Sequence, residues 1–216
     1  MKTYFAKTPR LIMRIFSKYT WRFSFNKKEV FLTFDDGPTP EITEFVLSEL
    51  KKYEAKATFF CIGKNITKQP EIFQNIISDG HAIGNHTQNH FNGWRTNDHE
   101  YINSVLDCEN VISRTMKNTV NPKLFRPPYG KIMSSQARML FKKEYKIIMW
   151  DVLSGDFDTS ITKEKCLQNV LKNTRKGSII VFHDSVKAAE RMQYALPIVL
   201  KIFTEKGFTF SKMKSQ

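Results

Sequence analysis

Beyond residue 28 the chain alternates between short apolar runs and longer segments of helical period. The runs are VFLTF (30–34), ATFFCI (57–62), HAIGN (81–85), KLFR (123–126), YKIIMW (145–150), SIIVF (178–182) and FTF (208–210). Each is rich in β-branched or aromatic residues and has the length of a buried strand. The first intervening segment opens at Thr39-Pro40, a threonine cap before a proline suited to the first helical position, and continues with Ile42, Phe45, Val46, Glu49 and Leu50 on one face to about Tyr53. Further helices are predicted at 70–79, 97–117, 133–143, 162–175 and 187–205, with Gly80, Gly130, Gly177 and Gly207 as stops. No repeat, linker or low-complexity segment interrupts the pattern.

Seven strands alternating with six helices imply an α/β domain with a mainly parallel sheet, either open and doubly wound or closed as a barrel. The polar clusters choose between them. DDGP follows the first run, HTQNH the third, RPPYG the fourth, DVLSGDFD the fifth and HD the sixth. An open sheet gathers its site at one switch point, whereas a barrel collects groups from many strand ends at its C-terminal mouth. The expectation is therefore a distorted or incomplete (β/α) barrel.

The composition of 216 residues, 41% hydrophobic and 13% aromatic, fits one core. The net charge of +13 is unevenly placed: residues 1–28 hold eight Lys or Arg and no acid, leaving +5 for the rest. We therefore divide the chain into a basic, aromatic segment, 1–28, and a domain, 29–216. The segment's Phe16, Tyr19, Trp21, Phe23 and Phe25 can face an anionic surface or pack on the domain while the charges meet water; packing is the expectation. No nucleic-acid module accompanies them, and a monomer is expected. The apolar stretch Leu11-Ile12-Met13 is broken by Arg14, no run approaches the roughly 20 residues of a bilayer span, and no clean export signal appears. This favours a cytoplasmic or peripherally membrane-associated location over secretion. Cys61, Cys108 and Cys166 lack metal or disulfide spacing and read as buried, reduced thiols.

His86 and His90 are spaced so that, on a helical turn, both imidazoles can share a metal. A hydrolytic site of this kind needs a carboxylate as well, and Asp35 and Asp36 offer two. Gly37 and Pro38 turn the chain there, so one acid can bind metal while the other serves as a base. His183 ends a very apolar strand and is suited to donating a proton, Asp156 can hold its imidazole, and Arg126 can keep an aspartate ionised. His81 and His99 lack such company and read as structural or surface residues.

Together TFDDGP, HTQNH, RPPYG, SGDF and VFHD resemble, in order and approximate spacing, the five motifs of the NodB-type polysaccharide deacetylases, carbohydrate esterase family 4. ATFFCIG (57–63) is similar to that family's second strand, and the likeness covers about 29–210. The resemblance implies a metal-dependent N-deacetylase of N-acetylglucosamine units in a glycan. Asp36, His86 and His90 would hold Zn²⁺, or Co²⁺, Ni²⁺ or Fe²⁺ in its place. Asp35 would be the base, oriented by Arg126, and His183 the acid, oriented by Asp156. Tyr129 of the RPPY run, beside Pro128, would offer its main-chain N–H to the oxyanion, and Thr87 would stiffen the loop between the histidines. Two motifs depart from the pattern: Leu153 and Phe157 replace Asp and Trp in Asp-x-x-Asp-Trp, and Val181 replaces Leu in Leu-x-His. These changes reshape the apolar wall against the substrate. An O-deacetylase of the same family and a non-catalytic carbohydrate-binding module are the competing readings.

Overall fold

The structure, a computed structural model, describes residues 4–24, 26–116 and 123–214. Phe25 and Lys117, the predicted end of the third helix, lie outside the described residues. The sheet is built from β1 (Glu29–Asp35), β2 (Thr58–Cys61), β3 (Ala82–Asn85), β4 (Leu124–Phe125), β5 (Lys146–Ile147), β6 (Val152–Leu153), β7 (Ile179–His183) and β8 (Thr209–Phe210). Every strand pairing is parallel, in the order β5-β4-β3-β2-β1-β7-β6, and β8 joins the start of β1. The sheet curls into an incomplete (β/α) barrel.

Both faces of β1 are buried, which is why its sequence reads as a continuous apolar run instead of alternating. Val30, Leu32 and Phe34 face outward and pack with Val46 and Leu50 of α2 (Ile42–Lys52) and Met192, Leu196 and Val199 of α8 (Ala189–Glu205). Phe31 faces inward, where it joins Phe60, Leu124, Ile148 and Ile179 in a separate apolar floor. The register of β1 on β7, Phe31 with Ile179, Thr33 with Val181 and Asp35 with His183, stacks the interior in layers that end in polar groups at the mouth.

The remaining helices are α1 (Arg10–Ile15), α3 (Gly63–Lys68), α4 (Pro70–Ser78), α5 (Asp98–Met116), α6 (Ser134–Lys142) and α7 (Lys163–Asn173). Neither α1 nor α3 is predicted by the pattern, since each has only six residues, fewer than two turns. The predicted start of α2 moves from Pro40 to Ile42, because the Thr43 hydroxyl accepts the Thr39 N–H (2.8 Å) and so ties Thr39-Pro40 into the preceding turn. The predicted strand 145–150 is also cut short. Residues 148–151 carry the chain from one edge of the sheet to the other, and β6 lies inside the run expected to be a polar loop.

The N-terminal segment laces this seam. Ala6 and Thr8 bond to Leu153 and Asp151, Thr20 to Ile147 and Met149, and Phe23 to Gly177, all through main-chain groups. Trp21 is 8% exposed, donates its indole N–H to Phe16 O (2.9 Å) and packs with Tyr101, Phe125 and Met149. By contrast Phe5, Leu11, Ile15 and Phe16 are exposed. Among the described residues no helix is long and apolar enough to cross a membrane, and all three cysteines are buried and unpaired. Trp21→Ala should destabilise the fold by roughly 3 kcal/mol in urea unfolding, while Leu11→Ala should change it by less than about 0.5 kcal/mol. Equal effects would show that the segment is not part of the core.

Candidate active site

The mouth is organised from one buried cation. Arg126, immediately after β4, is fully buried; its Nη1 donates to Asp35 Oδ1 (2.6 Å) and Thr33 Oγ1 (2.7 Å), its Nε to Ile148 O (3.3 Å) and its Nη2 to Met149 O (3.1 Å). The guanidinium lies 4.1 Å from the centre of the Phe60 ring. Burial lowers its pKa and Asp35 opposes that shift, so the charge is retained and paired.

Asp35 ends β1 and Asp36 leaves it. Asp36 has φ 83°, a left-handed conformation that aspartate tolerates better than most residues, so its carboxylate turns away from that of Asp35. The re-aiming thus occurs at Asp36 itself, one residue before the expected Gly37-Pro38 turn. Gly37 is held by a residue the sequence reading passed over: Asp184, fully buried, accepts the Gly37 N–H (3.0 Å) and the Thr43 hydroxyl (2.6 Å). A Cβ at Gly37 would lie 1.9 Å from Asp184 Oδ2, so only glycine fits. The signal for Asp184 was an acid directly after the strand-ending histidine. Burial lifts its pKa to about 7.

His86 and His90 lie on a loop after β3 and not on the helical turn expected from their spacing; Thr87 (φ 65°) and His90 (φ 57°) are both left-handed. Thr87 is buried, takes Asn85 Oδ1 on its N–H (2.9 Å) and accepts the Phe91 N–H at its hydroxyl (3.2 Å), which fixes the loop between the histidines. The Nδ1 of His86 meets Arg126 O at 2.7 Å, so Nδ1 carries the proton and the Nε2 lone pair points into the mouth. The Nδ1 of His90 meets the Tyr129 hydroxyl at 3.1 Å.

Asp36 Oδ1 stands 3.2 Å from His90 Nε2 and 3.7 Å from His86 Nε2. It is shielded from solvent yet has no hydrogen-bond partner among the described residues. Ligand atoms of Asp36, His86 and His90 all fall within 4.8 Å of one another. Burial raises the Asp36 pKa, but His90, His183 and His86 outweigh it and hold the carboxyl well below the usual range. Burial lowers that of His86 to about 4, so its imidazole is neutral. A carboxylate facing a neutral imidazole lone pair, without a donor of its own, is a donor set that a divalent cation completes.

Across the mouth, His183 ends β7 in register with Asp35. Its Nδ1 meets Asp156 Oδ1 and its N–H donates to Asp156 Oδ2, each at 2.7 Å. Burial alone would lower the His183 pKa, but Asp156, with Asp36 and Asp35 behind it, raises it to about 10. Phe157 meets the His183 ring edge-on at 5.2 Å. Val181 shares the face of His183 but is 1% exposed, so it backs the histidine instead of opening to the mouth. Pro128 is buried, while Tyr129 is 61% exposed at φ 59°, and the Tyr129 N–H has no hydrogen-bond acceptor among the described residues. His81 is buried, accepts the Ala57 N–H and has its pKa lowered by burial to about 4; His99 is exposed on α5.

The sequence profile of the family described as polysaccharide deacetylase matches residues 23–148, more than half of the chain. The chain belongs to the polysaccharide deacetylase family. Among curated members, a peptidoglycan-N-acetylglucosamine deacetylase of Bacillus cereus is 39% identical over 78% of this chain, which spans 61% of that relative's length. A chitooligosaccharide deacetylase of Azorhizobium caulinodans is 35% identical, with 76% of this chain and 77% of the relative covered. Among solved structures, the Bc1960 peptidoglycan N-acetylglucosamine deacetylase bound to 4-naphthalen-1-yl-N-oxidanyl-benzamide superposes with a TM-score of 0.86 at 34% identity over 95% of each chain.

The His183 pair in this family member has a stability signature. Its folded pKa of about 10 lies above the ordinary 6.5, so its contribution is complete below the ordinary value and disappears as pH rises through about 10. In urea unfolding of chelator-treated protein, Asp156→Asn should be less stable than the parent by about 2 kcal/mol near pH 6, with the difference shrinking as pH rises past the ordinary histidine value and largely gone by about pH 10. A difference independent of pH would rule the charged pair out.

Proposed function

We propose that the chain is a hydrolase that removes N-acetyl groups from N-acetylglucosamine-type units of a glycan, with peptidoglycan ahead of chitin-like and surface glycans. One observation carries this reading: Asp35, paired with Arg126, and His183, paired with Asp156, stand in register on adjacent strands beside the Asp36–His86–His90 cluster. A paired base, a paired acid and a cation-shaped donor set thus share one mouth. The names of the relatives, peptidoglycan-N-acetylglucosamine deacetylase and chitooligosaccharide deacetylase, support the substrate class.

Asp36, His86 and His90 hold the metal in this reading, Zn²⁺ first, because two imidazoles and a carboxylate suit it, with Co²⁺, Ni²⁺ and Fe²⁺ able to use the same donors. When bound, such an ion supplies Lewis acidity toward the acetamide carbonyl and a lowered pKa for water. Asp35 takes the proton of the attacking water, and Arg126 aims its carboxylate. The free N–H of Tyr129 donates to the developing oxyanion. His183, held protonated by Asp156, gives its proton to the departing amine. Phe157, edge-on to His183, shapes the apolar side of the mouth, with Val181 behind the histidine.

Asp35→Asn and Asp36→Asn should each lower acetate release from N-acetylated chitooligosaccharides by about 10²-fold or more. Only Asp36→Asn should greatly weaken Zn²⁺ binding in calorimetry. Equal metal affinity in the two variants would reverse the assignment of these roles. Faster acetate release from acetylxylan than from the chitooligosaccharide would replace N- with O-deacetylation.

A further inference from the structure

One exposed aromatic side chain beside this mouth is built with more care than a surface residue needs. Trp94 lies four residues after His90 and is 62% exposed, whereas Trp21 is buried and Trp150 half-buried. Its indole N–H donates to Ile132 O (3.2 Å), and its main-chain N–H donates to Asn92 Oδ1 (3.0 Å). The Lys131 ammonium stands 5.2 Å from the ring centre. The indole therefore has one edge pinned and one face covered by a cation, and its exposure leaves the remaining surface to solvent.

The loop that carries it is equally constrained. Gln136, fully buried, donates its amide to Gly93 O (3.0 Å) and Thr96 O (3.1 Å), on either side of the tryptophan. A Cβ at Gly93 would stand 2.6 Å from both Gln136 Oε1 and Lys131 O, so the loop is pressed against 131–136 as closely as glycine permits. Leaving a large apolar ring in water forgoes the stabilisation of burying it, and fixing it there removes rotamer freedom before any ligand arrives. A pre-positioned ring with an electron-rich face suits a ligand that presents polarised C–H groups in a plane.

The position of the ring identifies that ligand. Lys131 is two residues from Tyr129, a separation of at most about 7 Å along the chain, and the Tyr129 hydroxyl contacts His90. We propose that Trp94, steadied by Lys131, forms a glycan subsite that stacks the sugar ring neighbouring the unit being deacetylated, so that the enzyme favours oligomers of N-acetylglucosamine over the single sugar. This rests on the deacetylase reading above and adds a specificity-determining residue to it. The pinned N–H and the cation make the ring a platform and not a hydrogen-bond donor to the sugar.

The test compares acetate release from N-acetylated chitopentaose and from N-acetylglucosamine itself by the metal-loaded parent, Trp94→Ala and Trp94→Tyr, with circular dichroism confirming the fold of each. Trp94→Ala should raise KM for the pentamer about tenfold with kcat within about twofold, a loss of about 1.4 kcal/mol, and leave kcat/KM for the monosaccharide, which has no neighbouring ring, within about twofold. Trp94→Tyr, which keeps an aromatic face, should recover most of the KM. An unchanged pentamer KM, or an equal loss on both lengths, would overturn the subsite. Calorimetric binding of the pentamer to Asp35→Asn, with and without Trp94→Ala, separates the two readings. Trp94-dependent binding with no acetate release by the parent would keep the subsite and sink the deacetylase, whereas Trp94-independent binding would sink the subsite alone.

Discussion

A guanidinium buried inside a barrel must have every donor satisfied, and the way Arg126 meets that demand fixes most of the mouth. Its donors reach Thr33 and Asp35 on β1 and the carbonyls of Ile148 and Met149 at the seam, and its planar face rests on Phe60 of β2. Its own carbonyl takes the Nδ1 proton of His86. One residue therefore sets the carboxylate proposed as the base, the tautomer of a proposed metal ligand and the path of the crossing strand. Loss of any partner would leave part of a charge unpaired in a dry interior, which is far more unfavourable than the pair is favourable. The arrangement is consequently one in which the parts move together or not at all.

The same mouth separates four acids by environment. Asp35 is tied to a guanidinium, Asp156 to the imidazole of His183 through one oxygen and to its main-chain N–H through the other, and Asp184 to an N–H and a hydroxyl with burial raising its pKa to about 7. Asp36 faces imidazole nitrogens with an Oδ1 that has no hydrogen-bond partner among the described residues. Identical side chains are given different chemistry by what each touches, which is how one site can contain both a base and a proton donor at neutral pH. Asp184 belongs to this division although it faces no open space, because it holds the turn from which Asp36 projects.

Much of this was legible in the residues and some of it was not. The parallel sheet, the apolar strands and the strand ends carrying the site follow from periodicity and from polar clusters at regular places, both of which are local signals. The positive φ of Asp36, Thr87 and His90 is invisible to periodicity, so His86 and His90 were expected on a helix and the turn at Gly37. Asp184 was hidden because its partners, Gly37 and Thr43, are about 140 residues away in sequence. The short α3 and the two-residue β6 fell below the length at which a pattern can be read. Trp94 has no local signature either, since its meaning comes from Ile132, Lys131 and Gln136 on a different connection.

The open side of the barrel connects these observations to the N-terminal segment. A sheet that stops short of closing presents unpaired main-chain groups at its two edges. Here the edges are β5 and β6, joined by residues 148–151, and the groups of Ile147, Met149, Asp151 and Leu153 are met by Thr20, Thr8 and Ala6. Lys7 adds an ammonium 2.7 Å from buried Asp151, whose carboxylate also takes the Ser178 hydroxyl and the Ile179 N–H at the start of β7. Met149 is the shared point: its N–H bonds to Thr20 O, and its carbonyl accepts from Arg126. The lacing that closes the seam from outside and the cation that organises the mouth from inside therefore hold the same residue, so the order of the N-terminal segment reaches Asp35 through three hydrogen bonds and the Arg126 side chain.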